Sequence, residues 1–132
     1  MPAEISHSPR PKREDVRSLA LRMLCWHESR NGKLKIGDAY KAHGFYQQHK
    51  GHWDIGARKR NIKIPYPEGA YNFEAATQVV LGNWDVYCPD ATTVDELILA
   101  HRIPNSNKRY RKDNLDYLRR VKLDWKLRKE SL

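Results

Sequence analysis

Three histidines and an aspartate fall within twelve residues, in the stretch HGFYQQHKGHWD at positions 43–54. The candidate metal ligands are His43, His49, His52 and Asp54. Neutral imidazoles and a carboxylate are suitable ligands for zinc and related transition ions. If this stretch were helical, His49 and His52 would share a helix face. A metal site here would make the protein a metal-dependent hydrolase or nuclease.

The spacing of these four residues argues against that interpretation. The pattern H-x5-H-x2-H-x-D contains no HExxH motif and has no cysteine partner. We interpret the stretch as a polar, aromatic loop beside a basic patch, with Phe45, Tyr46 and Trp53 anchoring it to the core. The sequence therefore predicts neither a metal nor another cofactor.

Other catalytic patterns are missing from the sequence. The serines lack Gly-x-Ser-x-Gly surroundings, and there is no glycine-rich nucleotide-binding loop. Cys25 and Cys88 form no CxxC pair, and Cys25 falls in an apolar-rich segment that is typical of a core position. The sequence favours a binding protein over an enzyme.

Basic residues are the strongest candidates for contact with a partner. The chain has 25 Lys and Arg against 16 Asp and Glu, for a formal net charge of +9. Segment 64–101 contains no Lys or Arg and six acidic residues. A merely soluble surface intersperses both signs, so this segregation predicts a polyanion-binding face, with the acidic segment turned away from it.

Two basic runs and the C-terminal segment supply the predicted contacts. Arginine forks grip phosphate oxygens and can read guanine edges, and a tyrosine can donate to phosphate or stack on an unpaired base. An ordinary solvated charge run is the alternative interpretation. The predicted nucleic-acid contacts are Arg58, Lys59, Arg60, Lys108, Arg109, Tyr110, Arg111, Lys112, Arg119 and Arg120.

The spacing of apolar residues predicts the elements that position these contacts. Apolar positions recur every three or four residues, which is typical of helices. We expect a mainly α, single-domain bundle of five or six helices with little or no β structure. Residues 1–12 are predicted to be a flexible arm, and 13–132 a single helical domain.

Helix boundaries are indicated by capping residues. Gly32 is expected to cap the first helix, and Asn72 to begin a helix that Gly82 ends. Thr93 and Glu96 have the spacing of a capping box ahead of another helix.

Two stretches resemble the first half of a helix-turn-helix in general pattern. IGDAYKAHGF at 36–45 and VDELILAHRI at 94–103 each have an apolar start, an Ala-His pair and a basic cluster downstream. We therefore expect one or two helix-turn-helix-like elements. A short strand through Leu34 and Ile36 is the alternative for the first stretch.

The predicted function is binding of nucleic acid, duplex DNA in preference to RNA, by electrostatic capture of phosphates. Besides nucleic-acid binding and the metal-dependent enzyme, a third possible function is that of a basic protein-interaction or assembly component. In that case the acidic segment 64–101 could pair with a basic flank of a second copy and form a homo-oligomer. No apolar run approaches the roughly 20 residues that cross a bilayer, so we expect no membrane partner and a cytoplasmic, nucleoid-associated location.

Overall fold

The computed structural model of the protein describes residues 12–34, 36–37, 41–104 and 107–131. Five α-helices dominate the described residues, together with a short 3₁₀ helix and two strands of two residues each. The predicted mainly helical bundle is confirmed. The elements in chain order are α1 (Arg13–Ser29), β1 (Ile36–Gly37), β2 (Ala42–His43), α2 (Lys50–Arg60), the 3₁₀ helix (Glu68–Tyr71), α3 (Phe73–Tyr87), α4 (Val94–Arg102) and α5 (Lys112–Ser131).

The predicted N-terminal arm lies outside the described residues, except for Lys12, which directly precedes α1. The division into an arm and one domain stays a prediction. Among the described residues, α2 packs on α3, and α1 packs on α4 and α5. α4 also contacts α3 and α5, so it lies between the two groups of helices.

Local hydrogen bonds begin two helices where the sequence predicts them. The Asn72 side chain accepts a hydrogen bond from the Ala75 backbone N–H at 2.9 Å, at the start of α3. Thr93 Oγ1 accepts from the Glu96 N–H at 3.2 Å, at the start of α4. Both side chains satisfy amide groups that have no partner within the helix.

The prediction that Gly82 ends α3 is wrong, because the helix continues to Tyr87. Gly82 lies where α3 crosses α2, opposite Gly56. A Cβ at Gly82 would collide with the Gly56 carbonyl oxygen, and a Cβ at Gly56 would collide with the Val79 carbonyl oxygen. These glycines therefore allow two helix backbones to touch, an approach that any larger residue would prevent.

The apolar side chains of all five helices meet in one core. The tryptophans belong to the core and its edge: Trp53, as predicted, and Trp84 are buried, while Trp26 and Trp125 are half-buried. Trp84 Nε1 donates to the Leu97 carbonyl at 3.0 Å, which joins α3 to α4.

The first helix-turn-helix-like stretch is not helical where the structure describes it. Ile36 and Gly37 pair antiparallel with His43 and Ala42, so the strand alternative is right for Ile36. Gly44 follows with φ 80° and lies directly against the Ala70 carbonyl, which a helix through this position would not allow. The helical interpretation is wrong for the described residues of this stretch, 36–37 and 41–45.

The second stretch forms α4, but its connection to α5 differs from a helix-turn-helix. That motif joins its helices through three or four residues. Here α4 ends at Arg102 and α5 begins at Lys112. The basic run that begins at Lys108 therefore lies mostly in the connector 103–111, ahead of the helix that would enter a groove.

Candidate functional site

The four candidate metal ligands do not converge. His43 Nδ1 lies 2.7 Å from the Tyr71 hydroxyl, and Asp54 pairs with Lys50 at 2.8 Å on the exposed side of α2. His49 is exposed at the N-cap of α2. Across the described ranges, no group of three or more His, Cys, Asp or Glu side chains is arranged to hold a metal ion.

His52 instead meets a histidine that is distant in sequence. Its ring packs edge-to-face against His101 of α4, with the ring centroids 5.1 Å apart. Burial lowers the pKa of His52 to about 3, and the neighbouring His101 adds to this effect. Burial also lowers the pKa of His101, so both rings are neutral at pH 7. The apolar stripe of α4 that includes Leu97 and Ile98 was the sequence signal that His101 faces inward.

Asp85 neutralises three arginines, one of which, Arg60, is a predicted nucleic-acid contact. Its carboxylate accepts from Arg13 at 2.9 Å, from Arg17 at 2.8 Å and from Arg60 at 2.7 Å. Burial alone would raise the pKa of Asp85, but hydrogen bonds from Arg60 and Arg17 outweigh it and lower the pKa. Arg60 also donates to Gln78 at 3.0 Å, so it joins α2 to α3 and is not available to a phosphate.

This cluster corrects an expectation about the acidic segment 64–101. The segment does not simply turn away from the cations: Asp85 pairs with arginines of α1 and α2, and Asp95 pairs with Lys122 of α5 at 3.3 Å. The basic and acidic segments that are separate in the sequence are therefore partly joined by ion pairs in the fold. Arg58 and Lys59, next to Arg60 in the last turn of α2, are exposed and have no ion pair within the described part of the chain.

Arg109 is the buried member of the second basic run, with 6% of its surface exposed. Its guanidinium donates to the Pro104 carbonyl at 2.7 Å and to the Tyr87 carbonyl at 3.3 Å, and so ties the connector to the end of α3. We therefore remove Arg109 from the candidate interface. Its neighbours Lys108, Tyr110 and Arg111 are exposed, Tyr110 at 65%.

The first turns of α5 carry the remaining predicted contacts. Lys112 and Arg119 both pair with Asp116, at 3.0 and 2.7 Å. The two cations are 90% and 76% exposed, so these pairs are screened by water and leave both cations available to a stronger anion. Arg120 is exposed as well.

A row of cations extends further along α5 than the predicted contacts do. Arg119, Lys122, Lys126 and Lys129 follow one another at spacings of three, four and three residues, which places them on one helix face. They line a groove of about 570 Å³ between α1, α5 and the start of α4, which we call the α5 groove. The apolar side chains that line it are Leu19, Met23, Val94, Leu123 and Trp125.

The helical spacing of this row is visible in the sequence, yet the predicted contacts stop at Arg120. Arg128 of the same helix faces another way: its guanidinium lies over the rings of Trp26, at 4.4 Å, and Trp125, at 5.5 Å. Near the other end of the helix, the Tyr117 hydroxyl donates to Glu28 at 2.7 Å. These contacts hold α5 against α1.

Both cysteines are buried, and burial raises the pKa of Cys25 and of Cys88. The thiols are therefore protonated at neutral pH and poor nucleophiles, and Cys25 has the predicted core position.

Comparison of the chain with protein-family models, with curated proteins and with solved structures gives no match. Within the described ranges, every helix is too short or too polar to cross a membrane.

Proposed function

We propose that the protein binds nucleic acid, duplex DNA in preference to RNA, through the α5 groove and the connector that precedes α5. The observation that carries this proposal is the row of four cations on one face of α5. Lys126 and Lys129 have no ion pair within the described residues, and the pairs made by Arg119 and Lys122 are exposed. Such a row gives the field that attracts phosphates.

The length of the row suits a nucleic-acid strand. Lys129 lies ten positions after Arg119, and at 1.5 Å per residue the row spans about 15 Å. That distance equals about four base-pair rises of B-DNA. A helix fits the major groove of B-DNA, whereas the major groove of A-form RNA is too narrow for side chains to read, which favours DNA.

The connector extends this surface beyond the N-terminal end of α5. Lys108, Arg111 and Lys112 are exposed there, together with Tyr110. In this arrangement α5 lies in the major groove with its cations against the flanking phosphates, and any reading of base edges falls to Arg111 and Tyr110. Arg58 and Lys59 form a separate contact on α2. Such a protein would act at the nucleoid of a cytoplasm, as a regulator or accessory factor.

A basic interaction or assembly component is the second candidate. It is favoured by Leu123, which lines the α5 groove, and by Leu127 of the same helix, because these side chains are 53% and 52% exposed. Apolar side chains rimmed by charge are typical of protein interfaces. A partner of this kind would be an acidic protein or a second copy.

Salt-dependent binding distinguishes the two candidates. Wild type should bind a duplex DNA oligomer at low salt, with affinity that falls linearly on a log–log plot against salt. Lys126→Ala/Lys129→Ala should reduce the slope by about 1.8, because each lost phosphate contact removes about 0.9. Lys41→Ala/Lys63→Ala is the matched control, since it removes two exposed lysines outside the groove.

If both double variants lost the same DNA affinity and the same salt dependence, net charge alone would explain binding. The α5 groove would then not be the binding site. Absence of binding by wild type at low salt would remove the function. In that case self-association measured by size exclusion at two salt concentrations would favour the assembly component.

A further inference from the structure

A cavity of about 340 Å³ opens between α1, the first turns of α3 and the loop that follows β2. Its volume falls at the lower end of the range of small-molecule sites, about 300–1,000 Å³. Four residues of α1 line it at positions i, i+3, i+4 and i+7, so one face of the helix is turned towards it. These residues are Ser18, Leu21, Arg22 and Cys25.

Aromatic rings form one wall of the cavity. Phe45 and Phe73 pack edge-to-face with their ring centroids 5.2 Å apart, and Tyr46 stacks on Phe73 at 6.3 Å. Phe73, in the first turn of α3, is 53% exposed, so more than half of its surface is uncovered. A further ring placed against this wall would add the offset and edge-to-face contacts that aromatic pairs prefer. The wall therefore favours an aromatic group on a ligand.

The floor of the cavity favours an apolar group. Cys25 and Tyr46 are buried there. Tyr46 Oη and Thr77 Oγ1 lie 2.8 Å apart and hydrogen-bond to each other. Among the described residues, no side chain that lines the cavity has a buried nitrogen or oxygen atom without a partner. The part of a ligand that rests on this floor therefore needs no hydrogen-bonding group.

The rim of the cavity carries one positive charge. Arg22 is exposed there and makes no ion pair with any residue that the structure describes. Every other lining residue within the described ranges is uncharged, and the exposed Ser18 and Asn31 are polar. A guanidinium can hold both oxygens of a carboxylate in a fork, and a hydroxyl or amide group can donate to the same oxygens. The rim therefore complements a ligand with a single carboxylate.

We propose that this cavity binds a small aromatic carboxylic acid. The ring of the acid packs against Phe45 and Phe73 above the buried floor, and its carboxylate binds Arg22 and Asn31. The site is independent of the proposed binding of nucleic acid, because none of its described lining residues belongs to the α5 groove.

Calorimetric titration with phenylpropanoate tests the site. This acid should bind about tenfold or more tightly than phenylpropanol, which has the same ring and chain but no charge. It should also bind more tightly than cyclohexylpropanoate, which has the charge but a saturated ring. Equal affinity for the acid and the alcohol, or for the aromatic and the saturated acid, would overturn the proposal.

Two variants at exposed positions separate the charge from the ring. Arg22→Gln should lower the affinity for phenylpropanoate to that for phenylpropanol and leave binding of the alcohol unchanged. Phe73→Ala should weaken the acid and the alcohol alike, by about fivefold. If either variant bound phenylpropanoate as tightly as wild type does, the assigned contact would be wrong.

Control variants remove similar groups outside the cavity. Arg58→Gln removes an exposed cation of α2, and Leu34→Ala removes an exposed apolar side chain, so both should bind phenylpropanoate like wild type. Equal losses in Arg58→Gln and Arg22→Gln would show attraction by net charge and overturn the site. Lys126→Ala/Lys129→Ala should weaken duplex DNA and leave phenylpropanoate binding unchanged, so the two proposals fail separately.

Discussion

Cations lie beside both the α2–α3 crossing and the α5 groove, but only at the crossing do they converge on one partly buried carboxylate. At the crossing, Gly56 and Gly82 bring two backbones together, and Asp85 takes up three arginines nearby. In the α5 groove, four cations line an open surface where apolar side chains stay accessible. The comparison shows that the position of a cation, and not the net charge, decides whether it is structural or available to a partner.

Removal of the Asp85 carboxylate should have the largest effect on stability. Asp85→Asn leaves Arg17, whose side chain is 8% exposed, without its counter-charge. Loss of one partner of a buried ion pair costs about 3–5 kcal/mol, so the free energy of unfolding in urea should fall by about that amount. Asp54→Asn is the control, because its pair with Lys50 is exposed and worth about 1 kcal/mol or less. Similar losses in the two variants would contradict a structural role for the Asp85 cluster.

A fall in pH should destabilise the protein through the two buried histidines before it affects Asp85. His52 and His101 have pKa values below the usual 6.5, so the unfolded chain binds protons that the folded chain does not. The free energy of unfolding should fall as pH drops below about 6.5, by up to about 1.4 kcal/mol per pH unit for each histidine. For His52 this loss continues down to its folded pKa of about 3. The lowered pKa of Asp85 acts in a different window, because its contribution is present above 3.8 and is lost only at lower pH.

Urea unfolding at pH 7, 6 and 5 measures this effect. Between pH 7 and 5, the free energy of unfolding of His52→Phe should fall less than that of wild type. The difference should be the contribution of the one histidine that the variant lacks. Parallel curves for the two proteins would show that the His52 pKa does not differ between the folded and unfolded states.

Single alanine substitutions should show a smaller difference between the crossing and the groove in the free energy of unfolding. Gly56→Ala places a Cβ against the Val79 carbonyl, and overpacking of this kind costs about 1–3 kcal/mol. Leu123→Ala, in the α5 groove at 53% exposure, should change the free energy of unfolding by about 0.5 kcal/mol or less. Thermal or urea unfolding of both variants checks the difference, and the reverse order would mean that the groove is the tighter region.

The sequence predicted several features that depend on neighbouring residues, although the left-handed cap of α1 is Arg30 and not the predicted Gly32. Asn72 and Thr93 begin helices through hydrogen bonds three residues away. The apolar spacing likewise located α1 and α5, which carry Trp26 and Trp125. The basic row of α5 was predictable from the same spacing, because a helix places residues three and four apart on one face.

Features set by contacts between distant segments were not predictable. Gly82 has the local signature of a helix end, but the approach of α2 requires it inside α3. Arg109 is indistinguishable from its basic neighbours in sequence, yet carbonyls from Tyr87 and Pro104 bury it. His52 found its partner at His101, outside the cluster that suggested a metal site.

The stacking of Arg128 on Trp26 and Trp125 fixes the far end of α5. Contacts with α1 at Tyr117 and Arg128 hold the part of α5 between them, so the spacing of Arg119, Lys122 and Lys126 is set by the fold. In the proposed binding of nucleic acid, the protein would lose little conformational entropy, because these cations are already held in place. Encounter rates should accordingly follow long-range attraction, which salt controls, since no folding step has to precede capture.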